Sequence, residues 1–343
     1  MKIIFVVDDN NTNLMTAKAA LDGTYRTFAL PSAEKMFALA EKFKPDLILL
    51  DVDMPEMDGF QAMEILKADE NLKSVPVIFL TLKNDETTET RGFEMGAVDF
   101  INKPFSTPVL LKRIELHIET DKLIKDGQKE LRKIHNATID VIANMVDRRD
   151  KVTGGHSRRV QTYMKILIDE LVRTGTYADE ISQWDIELVR SSGQLHDVGK
   201  ICISDEILQK PSKLTAEEFD LIKKHCDEGV SIIDEIIRKS GDDGFLRHAK
   251  KFACSHHEKW NGTGYPRGLA GEEIPHQGRI MAVADVYDAL VSLRPYKKPF
   301  THEQATEIIK NDSGTHFDPK IVEAFLNVAD DFLVESKKNR GQM

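Results

Sequence analysis

Short apolar runs alternate with amphipathic stretches over the first third of the chain. Five mostly apolar runs lie at residues 3–7, 25–29, 46–50, 76–80 and 98–101. Segments such as "SAEKMFALAEKF" (32–43) separate them, with apolar residues recurring every three or four positions. Apolar runs that alternate with helical segments are typical of a parallel sheet covered by helices on both faces. The pattern therefore predicts a doubly wound, five-stranded α/β domain over residues 1–120.

After residue 106 the apolar residues recur at the spacing of a helix. The charged stretch "ETDKLIKDGQKELRKI" (119–134) predicts a connecting helix, with a linker at 121–137 that Gly127 could interrupt. Segments such as "HSRRVQTYMKILIDELV" (156–172) and the stretch at 216–239 keep the helical spacing. The second part of the chain is therefore predicted to be an all-α domain over residues 138–335.

Composition narrows the class of protein. The chain has 343 residues, of which 41% are hydrophobic and 30% charged, enough for two domains with their own cores. Neither a membrane-spanning apolar run nor a secretory signal is predicted, and three scattered cysteines fit a reducing cytoplasm. The net charge of −10 argues against DNA as a partner, although a small nucleotide needs only a local basic patch.

Polar side chains follow four of the predicted strands. Asp8 and Asp9 follow the first strand, Asp51 the third, Thr81 the fourth and Lys103 the fifth. One acid after a strand is ordinarily a helix cap, but carboxyl ends of parallel strands share one sheet edge. Three carboxylates there suit Mg²⁺, and lysine and threonine can hold phosphoryl oxygens. Together they predict a site at which an aspartate accepts a phosphoryl group.

The first 120 residues resemble a response-regulator receiver domain. The resemblance rests on the acid pair at 8–9, Asp51 within "LLDVDMPEMDG", Thr81, and Lys103 before Pro104. It implies that a histidine kinase phosphorylates Asp51 and that the Lys103–Pro104 peptide bond is cis.

The same resemblance implies a magnesium site and a conformational switch. Mg²⁺ would be held by Asp9, Asp51 and the backbone carbonyl of Asp53. Phe100 would be the aromatic switch residue of the domain.

Histidines and acids recur at particular places in the second half. His156 opens a helix after "TGG", His196 and Asp197 are adjacent, and His225 lies within a predicted helix. A further pair and an acid complete the set: His256, His257 and Asp285. Asp285 lies among Ala and Val, where an unpaired charge is costly unless a cation relieves it. Imidazole and carboxylate without thiolate suit Fe, Mn or Zn.

The second half resembles the HD-GYP phosphodiesterases, a branch of the HD metal-dependent phosphohydrolases. The matching text is "TGGHSRRV" (153–160), "HDVGK" (196–200), "HHEKWNGTGYP" (256–266) and "GRIMAVADVYDALVSLRPYKK" (278–298). The resemblance implies hydrolysis of cyclic di-GMP to linear pGpG and further to GMP in some members. The implied metal ligands are His156, His196, Asp197, His225, His256, His257 and Asp285.

The resemblance also implies roles for individual side chains. Asp197 would bridge two ions and act in catalysis with Lys200. Arg294, Lys297 and Tyr265 would contact the substrate. Fe or Mn are the favoured metals, with Zn or Ni as alternatives. Two ions are expected rather than three because Val152 stands where some members have a third-metal glutamate, although Asp150 could substitute.

These features predict a response regulator in which phosphorylation controls a cytoplasmic phosphodiesterase. Its expected partners are a histidine kinase, cyclic di-GMP, diguanylate cyclase (GGDEF) domains and a second copy docked along the 106–140 helix, with neither membrane nor DNA. Two alternatives stay open. The second domain could sense cyclic di-GMP with little hydrolysis, or it could hydrolyse another nucleotide.

Overall fold

The structure, a computed structural model, describes residues 1–82, 86–149, 155–241, 244–293 and 298–340. The chain divides into two compact units, Met1–Leu131 and Arg132–Met343. The predicted limits of 1–120, 121–137 and 138–335 for two domains and a linker stay a prediction.

A five-stranded parallel sheet forms the centre of the first unit. The strand order is β2-β1-β3-β4-β5. The strands are Ile3–Val7 (β1), Arg26–Leu30 (β2), Leu47–Asp51 (β3), Val77–Thr81 (β4) and Asp99–Asn102 (β5). The helices between them are Asn11–Leu21 (α1), Ala33–Ala40 (α2), Gly59–Ala68 (α3) and Glu86–Glu94 (α4). The doubly wound α/β prediction is confirmed, with each strand starting within one residue of its predicted start.

Helices cover both faces of this sheet, which is why its central strands are apolar throughout. Helix α1 and the start of the helix after β5 pack on one face, and α2 and α3 pack on the other. Asn10 caps α1, and Asp58 begins α3 with a capping box. Strands β1, β3, β4 and β5 are consecutive neighbours, so the residues that follow them lie along one edge.

One long helix, Thr107–Arg149 (α5), follows the sheet. It continues through Gly127, so the interruption expected there is wrong. Glycine inside a helix costs only about 1 kcal/mol relative to alanine. That cost does not break a helix of 43 residues that continues for several turns on either side of the glycine. Even α5 is too polar to cross a membrane, and none of the other described helices qualifies.

The second unit is helical, as predicted. Its first helices are His156–Thr174 (α6), Ala178–Ile181 (α7), Ile186–Ser192 (α8), Asp205–Leu208 (α9), Ala216–Lys223 (α10) and His225–Ser240 (α11). The later ones are Gly244–Ser255 (α12), His276–Val291 (α13), His302–Asn311 (α14), Pro319–Asn327 (α15) and Ala329–Arg340 (α16). Short 3₁₀ turns lie at Gly193–Leu195, Val198–Cys202 and Gly271–Glu273.

The helix expected at 216–239 is divided at Lys224, so His225 begins a helix and does not lie within one. The imidazole Nδ1 of His225 lies 2.6 Å from the carbonyl oxygen of Ile222. That carbonyl is the acceptor for residue 226 in an uninterrupted helix. The side chain therefore competes with the backbone where the two helices meet.

Two glycines allow the elements around the histidines to approach closely. A Cβ on Gly199 would lie 1.9 Å from the carbonyl oxygen of His225, and one on Gly278 would lie 2.3 Å from Oγ of Ser255. Gly199 brings the turn after Asp197 against α11, and Gly278 brings α13 against α12. The motif glycines thus hold four segments around one centre.

Candidate phosphoacceptor site and metal centre

The polar residues at the sheet edge of the first unit converge as predicted. Asp8, Asp9 and Asp51 each offer a carboxylate oxygen, and the three oxygens lie within 4.8 Å of one another. The Nζ atom of Lys103 lies 2.8 Å from Oδ2 of Asp8 and 2.7 Å from Oδ2 of Asp51. Thr81 is buried at the end of β4. This arrangement can hold a hard divalent cation beside a buried carboxylate.

The carboxyl of Asp51 has an unusual pKa. Burial raises its pKa to about 6 and Asp8 adds to the rise, although the hydrogen bond from Lys103 opposes both. The Lys103–Pro104 peptide bond is cis, as the resemblance implies. Phe100 is buried against Phe79, with ring centroids 5.3 Å apart. Its role as a switch stays a prediction.

The seven predicted ligands of the second unit gather in two adjoining groups. We call His156, His196 and Asp285 the first ligand group. We call Asp197, His225, His256 and His257 the second ligand group. Within each group one ligand atom per residue lies within 4.8 Å of the others, so each group could hold a metal ion.

Asp197 faces both groups. Its Oδ1 atom lies 3.4 Å from Nε2 of His225 and 3.6 Å from Nε2 of His256. Its Oδ2 atom lies 3.4 Å from Nε2 of His196 in the first group. A carboxylate with one oxygen toward each group has the geometry that a bridging ligand requires.

Backbone carbonyls orient three of the histidines. The Nδ1 atoms of His196, His225 and His256 lie 2.9, 2.6 and 2.9 Å from carbonyl oxygens. The acceptors belong to Gly193, Ile222 and Phe252 respectively. A carbonyl only accepts, so each Nδ1 carries a proton, and the neutral form of each imidazole has its lone pair on Nε2. This is the usual orientation of metal-binding histidine.

The resulting lone pairs need a cation. Nε2 of His225 and Nε2 of His256 lie 3.3 Å apart, and two acceptors at that distance repel each other unless positive charge lies near both. Within the described part of the chain, Nε2 of His196 and Oδ1 of Asp197 are buried without a hydrogen-bond partner. Buried polar atoms are rarely left so in proteins. The residues present therefore fit a metal.

The ligand pKa values divide by environment. Burial lowers the pKa of His225 to about 4 and that of His257 well below its usual value. Burial also opposes protonation of His156, but hydrogen bonds to Asp285 and Asp288 outweigh it and raise its pKa to about 10. Burial of Asp285 is likewise outweighed by His156, and its pKa is lowered. Both carboxylate and neutral imidazole are thus available in the absence of metal.

Lys200 lies against Asp197, on the oxygen that faces the first ligand group. Its Nζ atom is 2.7 Å from Oδ2 of Asp197. Burial would raise the pKa of Asp197, but Lys200 and then His196 hold it well below the usual range. The ammonium group is therefore beside the carboxylate that faces both groups.

The loop after the histidine pair is held by a buried acid that our sequence reasoning missed. The carboxylate of Glu258 accepts from the backbone N–H groups of Arg267 (2.8 Å) and Leu269 (3.1 Å). A Cβ on Gly264 would lie 2.3 Å from the backbone nitrogen of Lys259, which explains the glycine. The loop places the ring of Tyr265 4.6 Å from the ring of ligand His257. The fold thus fixes Tyr265 beside the centre.

A buried charge pair behind His156 was also missed. Oδ2 of Asp288 lies 2.8 Å from Nδ1 of His156, and Arg159 contacts both oxygens of Asp288 at 2.7 and 3.0 Å. The signal was present in the sequence. Asp288 stands three residues after Asp285 among apolar neighbours, on the same face of one helix.

An aromatic and cationic wall extends from the centre. The ring centroids of Phe219 and Tyr265 lie 6.0 Å apart, and Phe219 is 44% exposed. Nζ of Lys223 lies 4.9 Å from the first ring and 5.9 Å from the second. Sequence reasoning did not single out Phe219 or Lys223. Four residues that it did single out lie outside the described residues: Asp150, Val152, Arg294 and Lys297.

Family models match both units. A response regulator receiver domain matches residues 4–115, and an HD domain matches residues 140–321. The chain is 38% identical to a probable cyclic di-GMP phosphodiesterase of Vibrio cholerae, over 98% of this chain and 79% of the relative. It is 31% identical to the cyclic di-GMP phosphodiesterase response regulator RpfG of Xanthomonas campestris, over 83% of this chain and 76% of the relative.

A third relative differs in the substrate that its name gives. This is the 3′3′-cGAMP-specific phosphodiesterase 2 of Vibrio cholerae, which is 37% identical over 71% of this chain and 43% of its own length. The chain thus spans less than half of that longer protein. The probable cyclic di-GMP phosphodiesterase and RpfG are each matched over more than two thirds of their own length and of this chain. The predicted fold, family and enzyme class are therefore confirmed, and the chain belongs to the cyclic di-GMP phosphodiesterase response regulators, in which a receiver domain precedes an HD domain.

Proposed function

We propose that this chain hydrolyses cyclic di-GMP to linear pGpG, and further to GMP, under the control of phosphorylation at Asp51. The observation that carries the hydrolytic part is the pair of ligand groups joined by Asp197. Two adjoining metal positions are the arrangement used for in-line cleavage of phosphodiesters. The names of the relatives support the choice of substrate.

We propose two divalent ions, Fe or Mn, with Zn or Ni as alternatives, because the ligands combine imidazole with carboxylate. Such ions, when bound, activate water and neutralise charge on phosphoryl oxygens. The residues of this chain contribute by positioning the candidate metal ligands and the Lys200 ammonium group. Backbone carbonyls hold three of the imidazoles, and Asp197 spans the two groups. Nζ of Lys200 can donate to a non-bridging phosphoryl oxygen from beside Asp197.

The wall formed by Tyr265, Phe219 and Lys223 is our candidate surface for the guanine bases. A purine can stack on an exposed aromatic ring, and a nearby ammonium adds attraction to phosphate. The wall starts at ligand His257, so a phosphate at the metals leaves its base within reach of Phe219. By the family resemblance, Arg294 and Lys297 contact phosphate.

Control from the first unit is proposed from the same family. Asp51 would accept a phosphoryl group from a histidine kinase, with Mg²⁺ on Asp9, Asp51 and the backbone carbonyl of Asp53. Asp8 and Lys103 would support the site, and Thr81 would contact phosphoryl oxygen. These assignments fit the clustered carboxylates and the shared lysine.

A second copy of the chain is the partner that we propose for α5. Apolar side chains are exposed along it at spacings that include repeats of seven. They are Leu116, Leu123, Ile124, Leu131, Ile134, Val141 and Met145. Apolar residues at such spacing are typical of helices that pair in coiled coils. We also propose a cytoplasmic location and contacts between the 256–266 loop and diguanylate cyclase domains, both from the sequence and the family.

The chief rival is hydrolysis of another cyclic dinucleotide, favoured by the similarity to a cGAMP-specific relative. A non-hydrolytic sensor is opposed by the full ligand set and by Lys200. The test is anaerobic purification with metal quantification, followed by parallel rates on cyclic di-GMP, 3′3′-cGAMP and pGpG. Fastest turnover of cyclic di-GMP supports the proposal. Faster turnover of cGAMP, or binding without turnover in Mn²⁺ and Fe²⁺, contradicts it.

A further inference from the structure

The two ligand groups differ in the residues that lie directly behind them. In the first group, Nδ1 of His156 meets the carboxylate of Asp288 at 2.8 Å, and Nε2 lies 3.3 Å from Oδ1 of Asp285. Asp288 is 1% exposed, and Arg159 clamps both of its oxygens. The imidazole is therefore fixed between two carboxylates, with Nε2 facing the metal position.

The second group has neutral supports. Carbonyl oxygens of Ile222 and Phe252 hold His225 and His256. A carboxylate behind a ligating imidazole makes it a more basic and better oriented ligand than a carbonyl does. His156 of the first group is thus the stronger kind of imidazole ligand, whereas His196 has a carbonyl support like those of the second group.

We propose that divalent ions enter these positions in a fixed order, the His156–His196–Asp285 position first, and that Asp288 is the positioning residue that sets this order. The inference rests on the proposed metal-dependent function and deepens it. Its observable is metal affinity, which can be measured without turnover.

The experiment is a calorimetric titration of the metal-stripped full chain with Mn²⁺, checked by metal analysis. We expect two binding phases in the wild-type protein. Asp288→Asn should weaken the tighter phase by about 10- to 100-fold and leave the weaker phase within about threefold. Asp285→Asn should remove the tighter phase, which assigns that phase to the first group.

His257→Asn gives a second arm that does not depend on the fold of the Asp288 variant. It removes one imidazole of the second group, so it should weaken or abolish the weaker phase and leave the tighter phase within about threefold. Asp234→Asn, at a partly exposed pair with Lys250, is the matched control and should change neither phase.

Three results would overturn the order. They are an unchanged tighter phase in an Asp288→Asn protein that is folded by circular dichroism, loss of only the weaker phase in that variant, and loss of the tighter phase in the His257→Asn protein. Wild-type turnover of cyclic di-GMP is measured separately. Two ordered phases without turnover would refute the proposed function alone, and turnover with two equal phases would refute this inference alone.

Discussion

Buried aspartates respond in opposite ways in the two sites of this protein. In the receiver unit, burial dominates and raises the pKa of Asp51 to about 6, because one lysine is shared with Asp8. In the HD unit Asp197 is buried and Asp285 is partly buried, yet their pKa values fall. There, imidazoles and Lys200 outweigh burial. Burial alone therefore does not decide whether an acid is charged. The cations that the acid faces also decide it.

The two sites also differ in how their ligands are held. The receiver carboxylates stand at strand ends, where Asp9 is exposed and oxygen ligands suit Mg²⁺, which keeps its waters. The candidate metal ligands of the HD unit are largely buried imidazoles fixed by carbonyls or by Asp288. The two sites therefore differ in the type of donor atom and in its exposure to solvent.

The largest effect should come from the acid that joins the ligand groups. Asp197→Ala removes the carboxylate that faces both groups, so we expect loss of bound metal and at least a ~10³-fold fall in kcat/KM on cyclic di-GMP. Metal analysis and initial rates measure both. Asp234→Asn is the matched control. Near wild-type turnover by an Asp197→Ala protein without bound metal would show that hydrolysis does not depend on a metal centre.

Next in size is the loss of phosphoryl acceptance. Asp51→Asn lacks the nucleophilic oxygen, so labelling by a small phosphodonor with Mg²⁺ should disappear, and with it any change in hydrolysis rate caused by the donor. Basal hydrolysis should remain, because Asp51 is no part of the HD centre. Asp22→Asn, an exposed acid of the same unit, should label normally. If the phosphodonor changes the hydrolysis rate of the Asp51→Asn protein as much as that of the wild type, phosphorylation of Asp51 does not control hydrolysis.

A smaller effect tests the aromatic wall of the HD unit. Phe219→Ala should raise KM for cyclic di-GMP about tenfold with little change in kcat, since stacking of one base contributes ~1–3 kcal/mol. Phe219→Tyr keeps a ring and should behave like the wild type. Metal content should be unchanged in both. Equal loss of kcat in the two variants would indicate a structural role for Phe219 and exclude stacking.

The smallest effect concerns the raised pKa of Asp51. Mg²⁺ needs the anionic carboxylate, and below pH about 6 the proton competes for it. Affinity for Mg²⁺ should therefore be nearly constant above pH 7 and fall by up to roughly tenfold per pH unit below pH 6. Calorimetry across pH 5 to 8 measures this, with Asp51→Asn as the pH-insensitive comparison. Constant affinity down to pH 5 would show that Lys103 outweighs burial.

Much of the fold followed from local patterns. The five strands were predictable because buried parallel strands are continuous apolar runs, and the helices because their apolar residues recur at helical spacing. The continuity at Gly127 and the division at Lys224 were not. Each depends on a small energy difference, one glycine in a long helix or one imidazole beside a carbonyl, which the apolar pattern does not report.

The candidate sites divide in the same way. The inventory of acids and histidines, and the identification of Asp51 and of the adjacent His256 and His257, came from residue type and motif. The sequence did not indicate Asp288 because its partner, Arg159, is distant along the chain. It did not indicate Glu258 because the partners of that carboxylate are backbone N–H groups. The sequence did not indicate Phe219 because the local sequence around an exposed aromatic residue on a helix does not show that it lies near a site.

The sequence by itself determined the fold class, the family and the set of residues available for chemistry, since each depends on residue type and spacing along the chain. Only the tertiary structure decided which oxygen of Asp197 faces which group, why two neighbouring histidines can both point inward, and which acids rise or fall in pKa. Those properties depend on distances between segments up to 132 residues apart. Electrostatic energies change steeply over such distances, and sequence order does not encode them directly.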